Sequence, residues 1–209
     1  MTPAISEQVR WTIADLEGFP ENGNRYEIID GELFVTRAPH LDHQDVAGAI
    51  YAELRAWSQP SGLGKPYMTP GIIFSESDAV IPDVIWISHE RRSQLLDASG
   101  HLTGAPELIV EVLSITEKDK KRECLRHGFA ERETKLKLYS VQGVSEYWIA
   151  DREQQAIEVY RRENGVLKKA LTLFKADRLT SPLLPGYIAT AKAVKSLCEA
   201  QLPLHPSDS

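Results

Sequence analysis

Apolar residues run almost unbroken through two stretches of the chain, and each stretch carries one acid. VIPDVIWIS at 80–88 holds Asp83, and ELIVEVLS at 107–114 holds Glu111. Runs of this kind predict strands buried on both faces. Elsewhere the pattern changes period. Residues 12–18 predict a short helix, and RYEIIDGELFVT at 25–36 alternates around Asp30-Gly31, the mark of a hairpin. Val46, Ile50, Leu54 and Trp57 recur at helical spacing, so 42–58 is a helix with one buried face, ended by Pro60, Gly62 and Gly64. Residues 66–74 and 80–88 form two strands joined by SESD, and a short polar helix covers 89–97. A Gly-rich loop precedes the strand at 107–113, and a helix or broken helix fills much of 117–141. A strand at 145–150 is followed by a pair, 156–161 and 166–173, around Asn164-Gly165. SPLLPG at 181–186 is rich in turn residues, a helix spans about 190–200, and the tail at 202–209 is frayed.

This order predicts an α/β layer structure with a mixed sheet. Strict βαβ alternation is missing, as are the GxGxxG and GxxxxGK[ST] loops that cradle phosphates, so a doubly wound nucleotide fold is disfavoured. With 209 residues, no repeat and no linker, the chain reads as a single domain over 1–209, its core at about 10–190. No stretch approaches the ~20 apolar residues of a membrane span, and the N-terminus lacks the apolar stretch of a secretory signal. Cys124 and Cys198 stand far apart, so a disulfide framework is not expected and the cytoplasm is the expected location.

A net charge of −6 argues against a general nucleic-acid binder. The charge is uneven, however. Residues 117–137 hold eight Lys or Arg and five Asp or Glu, a local +3, so the rest of the chain carries −9. A polyanion could meet that one segment, although a solvated helix of mixed charge is the more ordinary reading of it.

The chemistry is sought in the two acids. A carboxylate in an apolar strand is costly unless a cation or hydrogen bonds hold it. Pro82 cannot donate to a ladder, so a strand start, an edge or a bulge is expected there, aiming Asp83 out of the sheet. In 107–113, Glu107, Ile109, Glu111 and Leu113 share a face, and Glu111 has apolar neighbours on both sides. At ~100° per residue, Lys135 falls within the arc of Leu136, Leu138 and Tyr139, whereas Lys137 falls on the far side. Lys135 is therefore the cation expected at the acids. Two carboxylates and a lysine suit a site where Mg²⁺ keeps several waters and accepts a phosphate oxygen. Glu32, after the hairpin turn, is a further candidate, and His43 at the start of the second helix reads as a capping or surface histidine. No HExxH, CxxC or GxSxG is present, which disfavours zinc and serine-hydrolase sites.

In their order RYEIIDGEL, VIPDVIWIS, ELIVEVLS, KLKLYSVQGVSEYWIAD and LTSPLLPG resemble the Uma-type restriction endonuclease family of the PD-(D/E)XK nuclease superfamily, over roughly residues 10–190. The resemblance implies a restriction-endonuclease-like mixed central sheet flanked by helices. It implies that Asp83 and Glu111 are metal ligands for Mg²⁺ or Mn²⁺, and that Glu32 completes the site. The superfamily's lysine two residues after the glutamate is replaced by Leu113. The resemblance implies that its role passes to the next helix, four residues before a tyrosine, where Lys135 and Tyr139 stand. Ile115 occupies a place where the family often has proline, and 117–130 reads as an insertion that could shift the helix and leave the role to Lys120 or Lys121. The expected function is metal-dependent endonucleolytic hydrolysis of DNA by a homodimer, with no membrane partner. The alternative is a non-catalytic module on the same fold, binding nucleic acid or protein.

Overall fold

Residues 9–113, 124–174 and 177–190 are described by the computed structural model. A six-stranded sheet runs through the middle in the order β10-β9-β8-β7-β6-β3. Its members are β3 (Gly64–Met68), β6 (Val84–Ser88), β7 (Leu108–Val112), β8 (Glu146–Asp151), β9 (Ala156–Glu163) and β10 (Val166–Phe174). β7 and β8 are parallel and every other neighbour is antiparallel, so the sheet is mixed as the sequence predicts. A second sheet has the order β2-β1-β5-β4, made of β1 (Arg25–Ile29), β2 (Glu32–Thr36), β4 (Ile72–Ser75) and β5 (Asp78–Val80). The helices are α1 (Ile13–Leu16), α2 (Leu41–Ser61), α3 (His89–Leu95) and α4 (Cys124–Gln142). A last hairpin pairs β11 (Arg178–Ser181) with β12 (Leu184–Thr190).

Alternation along the central strands gives the sheet two buried faces. Val84, Trp86, Leu108, Val110, Val112 and Trp148 pack with Val46, Ala47, Ile50 and Leu54 of α2 and with Leu179, Leu184 and Tyr187 of the last hairpin. Ile85, Ile87, Ile109, Tyr147 and Ile149 point the other way, onto Leu138 and Tyr139 of α4 and onto Ile29, Ile72 and Val80 of the second sheet. Burial on both faces explains why β6 and β7 read as continuous apolar runs. The β1–β2 hairpin turns at Asp30-Gly31, both with positive φ as the short turn requires. α2 ends at Gly62, whose φ of 64° permits the left-handed cap.

Three expectations are corrected. The strands expected at 66–74 and 80–88 are each broken, into β3 and β4 and into β5 and β6. Their ladder stops after the pair Met68–Val84. Beyond it lie Thr69, with φ of 46°, and two prolines, Pro70 and Pro82, which have no N–H to donate. Both halves therefore leave the central sheet at one level and join the second, which unbroken strands would not have formed. SPLLPG is only partly a turn, since Leu184, Pro185 and Gly186 already belong to β12. Thr190 ends β12, and the rest of the helix expected at 190–200, the tail at 202–209 and residues 114–123, with Lys120 and Lys121, lie outside the described residues. No helix among the described residues is long and apolar enough to cross a membrane.

Candidate active site

The broken strands create a corner, and the corner is where the acids meet. Val84 pairs with Val110 at the end of the β6–β7 ladder. Asp83 and Glu111 are the next residues along, so they leave the ladder as neighbours, Glu111 toward α4 and Asp83 between Arg25 of β1 and His43 of α2. Asp83 Oδ2 accepts a 2.8 Å hydrogen bond from the Val112 N–H, and its Oδ1 accepts one of 2.8 Å from Arg25 Nη1. His43 Nε2 lies 3.1 Å from Asp83 Oδ2 and 3.0 Å from the Val112 carbonyl. Both neighbours are acceptors, so Nε2 carries the proton.

Glu111 sits one strand over. Its Oε1 accepts from Lys135 Nζ at 3.0 Å and from the Tyr139 hydroxyl at 2.8 Å. No described residue hydrogen-bonds its Oε2. Lys135 and Tyr139 are one turn apart on α4 and share its inner face. Lys135 is buried and Lys137 exposed, in line with the helical spacing. The segment before α4 does not displace Lys135, because the ammonium reaches Glu111 directly.

A third acid, Glu27 of β1, completes the cluster. Its Oε2 lies 3.1 Å from Lys135 Nζ, and its Oε1 accepts a 2.9 Å hydrogen bond from the Ile81 N–H. Arg25 Nη1 also reaches the Ile81 carbonyl at 3.3 Å. Arg25 and Glu27 thus take up the backbone groups that the strand break at Ile81 leaves without a ladder partner.

Burial opposes the ionisation of Asp83, but the hydrogen bond and charge of His43, the charge of Arg25 and the Val112 N–H outweigh it and bring its pKa down to about 2. Glu111 moves the other way. Burial, with the nearby charges of Asp83 and Glu27, raises it to about 7, although the charge of Lys135 and the Tyr139 hydrogen bond lower it. Burial works against the charge on Lys135, yet Glu111, Glu27 and Glu131 hold its pKa well above the ordinary lysine value. Two neighbouring carboxyl groups with opposite shifts are the usual mark of a functional site. Arg25, Thr36, Asp83, Glu111, Lys135 and Tyr147 line a half-open cavity of about 120 Å³.

Asp83, Glu111 and Lys135 are brought together as expected, and Glu32 is not. Glu32 is exposed and lines a separate cavity of about 800 Å³ with Arg10, Trp11 and Lys137. The hairpin acid at the cluster is Glu27. The signal that singled out Glu111, an acid flanked by apolar residues, is present again in YEII and finds Glu27. His43 is neither a cap nor a surface residue: it is 1% exposed and bound to Asp83. Its partner lies 40 residues away, and no local spacing reveals it.

A family model described as "Uma2: Putative restriction endonuclease" matches residues 13–192. The fold is similar to a crystal structure described as a putative nuclease belonging to DUF820 from Anabaena variabilis ATCC 29413. The two share 16% identity and a TM-score of 0.64, over 88% of this chain and 96% of the other. No functionally curated protein matches this chain.

Proposed function

This chain belongs to the Uma2 family of putative restriction endonucleases, and from that premise we propose that it is a metal-dependent endonuclease hydrolysing phosphodiester bonds of DNA. The observation that carries the reading is the meeting of Asp83 and Glu111 at one cavity, with Lys135 Nζ 3.0 Å from Glu111.

The residues suit a hard divalent cation. Among the described residues no group of three or more His, Cys, Asp and Glu side chains stands ready to hold a metal by itself. Two carboxylates nonetheless fit Mg²⁺ or Mn²⁺, since such ions complete their shell with waters and phosphate oxygens. Asp83 and Glu111 would hold the ion. When bound, it supplies Lewis acidity toward the phosphodiester and a water of lowered pKa.

The chain's own groups do the rest. Asp83 is ionised throughout the neutral range, whereas Glu111 loses its proton at about pH 7. Tyr139 and Lys135 bind the same oxygen of Glu111, which fixes the carboxylate and leaves Oε2 toward the cavity. Lys135 is charged and orients the attacking water or steadies charge on the phosphoryl oxygens. Cutting both strands of a duplex takes two such sites or two successive nicks, so a symmetric homodimer in the cytoplasm belongs to the reading.

One observation favours a second reading. Both oxygens of Asp83 already accept hydrogen bonds, as expected of an ion-pair cluster kept for the fold in a non-catalytic binding module. A nicking assay on supercoiled plasmid with Mg²⁺, Mn²⁺ or chelator separates the two. Cleavage that requires metal and vanishes in Glu111→Ala supports the nuclease. DNA binding without cleavage in any metal supports the binding module.

A further inference from the structure

Arg25 uses only one corner of its guanidinium inside the protein. Nη1 donates to Asp83 Oδ1 at 2.8 Å and to the Ile81 carbonyl at 3.3 Å. Nε is buried and has no hydrogen-bond partner among the described residues. No described residue hydrogen-bonds Nη2. Nη2 is therefore the guanidinium nitrogen left to bind a carboxylate or phosphate oxygen from outside. The side chain is 17% exposed and lines the cavity that holds Asp83, Glu111 and Lys135.

The anchoring on Asp83 fixes where that nitrogen stands. Asp83 is in turn fixed by the Val112 N–H and by His43, so Arg25 is held by a rigid carboxylate rather than by a loop. Thr36, across the β1–β2 ladder from Arg25, lines the same cavity and leaves only a small side chain beside it. The local charges leave room for an added anion partner of Arg25 when a cation joins the acids: Asp83, Glu111 and Glu27 face Arg25 and Lys135.

We propose that Arg25 is a substrate-contacting residue that presents Nη2 to a non-bridging oxygen of the DNA phosphate cut at the Asp83–Glu111 pair. The proposal rests on the nuclease reading above. It assigns Arg25 two tasks on one planar group: Nη1 steadies Asp83, and Nη2 grips the phosphate.

The test measures DNA binding apart from cleavage. Glu111→Gln is the background, with binding followed by fluorescence anisotropy on a labelled duplex across about 50 to 200 mM salt. Adding Arg25→Gln is expected to weaken binding by about tenfold and to lower the salt slope by about one phosphate contact. Adding Arg25→Lys keeps the charge and the slope but leaves no second nitrogen to bind Asp83 and the phosphate together, so affinity falls and the slope does not. Removing Arg25 alone leaves Asp83 buried without its partner, so Arg25→Gln with Asp83→Asn is made as well, and far-ultraviolet circular dichroism checks the fold. If the folded Arg25→Gln proteins bind with unchanged affinity and slope while Glu111→Gln binds well, Arg25 serves Asp83 alone. The proposal is then overturned and the nuclease reading stands. If Glu111→Gln binds no DNA and the wild type nicks none in any metal, both are overturned.

Discussion

Asp83 Oδ2 accepts the Val112 N–H at 2.8 Å, so the side chain of one acid strand closes onto the backbone of the other where their ladder ends. The same carboxylate binds Arg25, which makes it both a candidate ligand and a structural joint. Asp83→Ala strands Arg25 and the Val112 N–H, and a loss of about 3–5 kcal/mol is expected in urea unfolding. The acid limb follows from its depressed pKa. The stabilisation is present above the unfolded carboxylate value and is lost as pH falls through about 2. Near 2 kcal/mol of stability (about 1.36 per pKa unit) is expected to go over that fall, and Asp83→Asn lacks this part of the slope.

Glu111 has the opposite sign. Between the ordinary carboxylate value of 4.5 and about 7 the folded chain holds the Glu111 proton more tightly than the unfolded chain does. Stability therefore falls as pH rises across that window, by about 3 kcal/mol at most. Thermal melts from pH 4.5 to 8 are expected to show the decline in the wild type and a flatter profile in Glu111→Gln. Nicking should rise through about pH 7 as the carboxylate forms.

Tyr139→Phe removes the hydroxyl that donates to Glu111 Oε1 at 2.8 Å. That hydrogen bond lowers the Glu111 pKa, so its loss moves the midpoint of the pH–rate profile upward. The stability cost is expected to be about 1 kcal/mol. A profile with an unmoved midpoint would separate Tyr139 from the ionisation of Glu111.

Lys135 is the single ammonium between Glu27 and Glu111 among the described residues. Lys135→Met leaves two buried acids facing each other and is expected to cost about 3–5 kcal/mol in urea unfolding. The triple change with Glu27→Gln and Glu111→Gln should recover much of the loss, because no buried charge is left alone. Lys137→Ala, on the exposed side of α4, is expected to stay within about 0.5 kcal/mol.

Metal binding gives a readout independent of cleavage. At a hundredfold excess over Kd, Mn²⁺ is expected to stabilise the wild type by about 2.7 kcal/mol and raise its Tm. Asp83→Asn with Glu111→Gln should abolish that shift, and chelator should abolish nicking in the wild type. A shift that persists in the double variant would move the metal away from these acids.

By itself the sequence determined the elements whose signal is local. Alternation and Asp30-Gly31 specify the β1–β2 hairpin, a 3.6-residue period specifies the inner face of α2, and continuous apolar runs specify the doubly buried β6 and β7. The same periodicity sets Lys135 inward and Lys137 outward, because a helix fixes the direction of every side chain it carries. Tertiary structure decided what depends on distant partners. Glu27 and Glu32 share one face of the β1–β2 hairpin, but only Glu27 reaches Lys135, because Glu32 pairs with Ile29 beside the turn, away from the cluster. His43 reaches Asp83 across 40 residues, and Arg25 reaches it across 58. Such pairings are fixed by where the strands break and how the two sheets pack, and side-chain pattern along a single chain carries no record of that geometry.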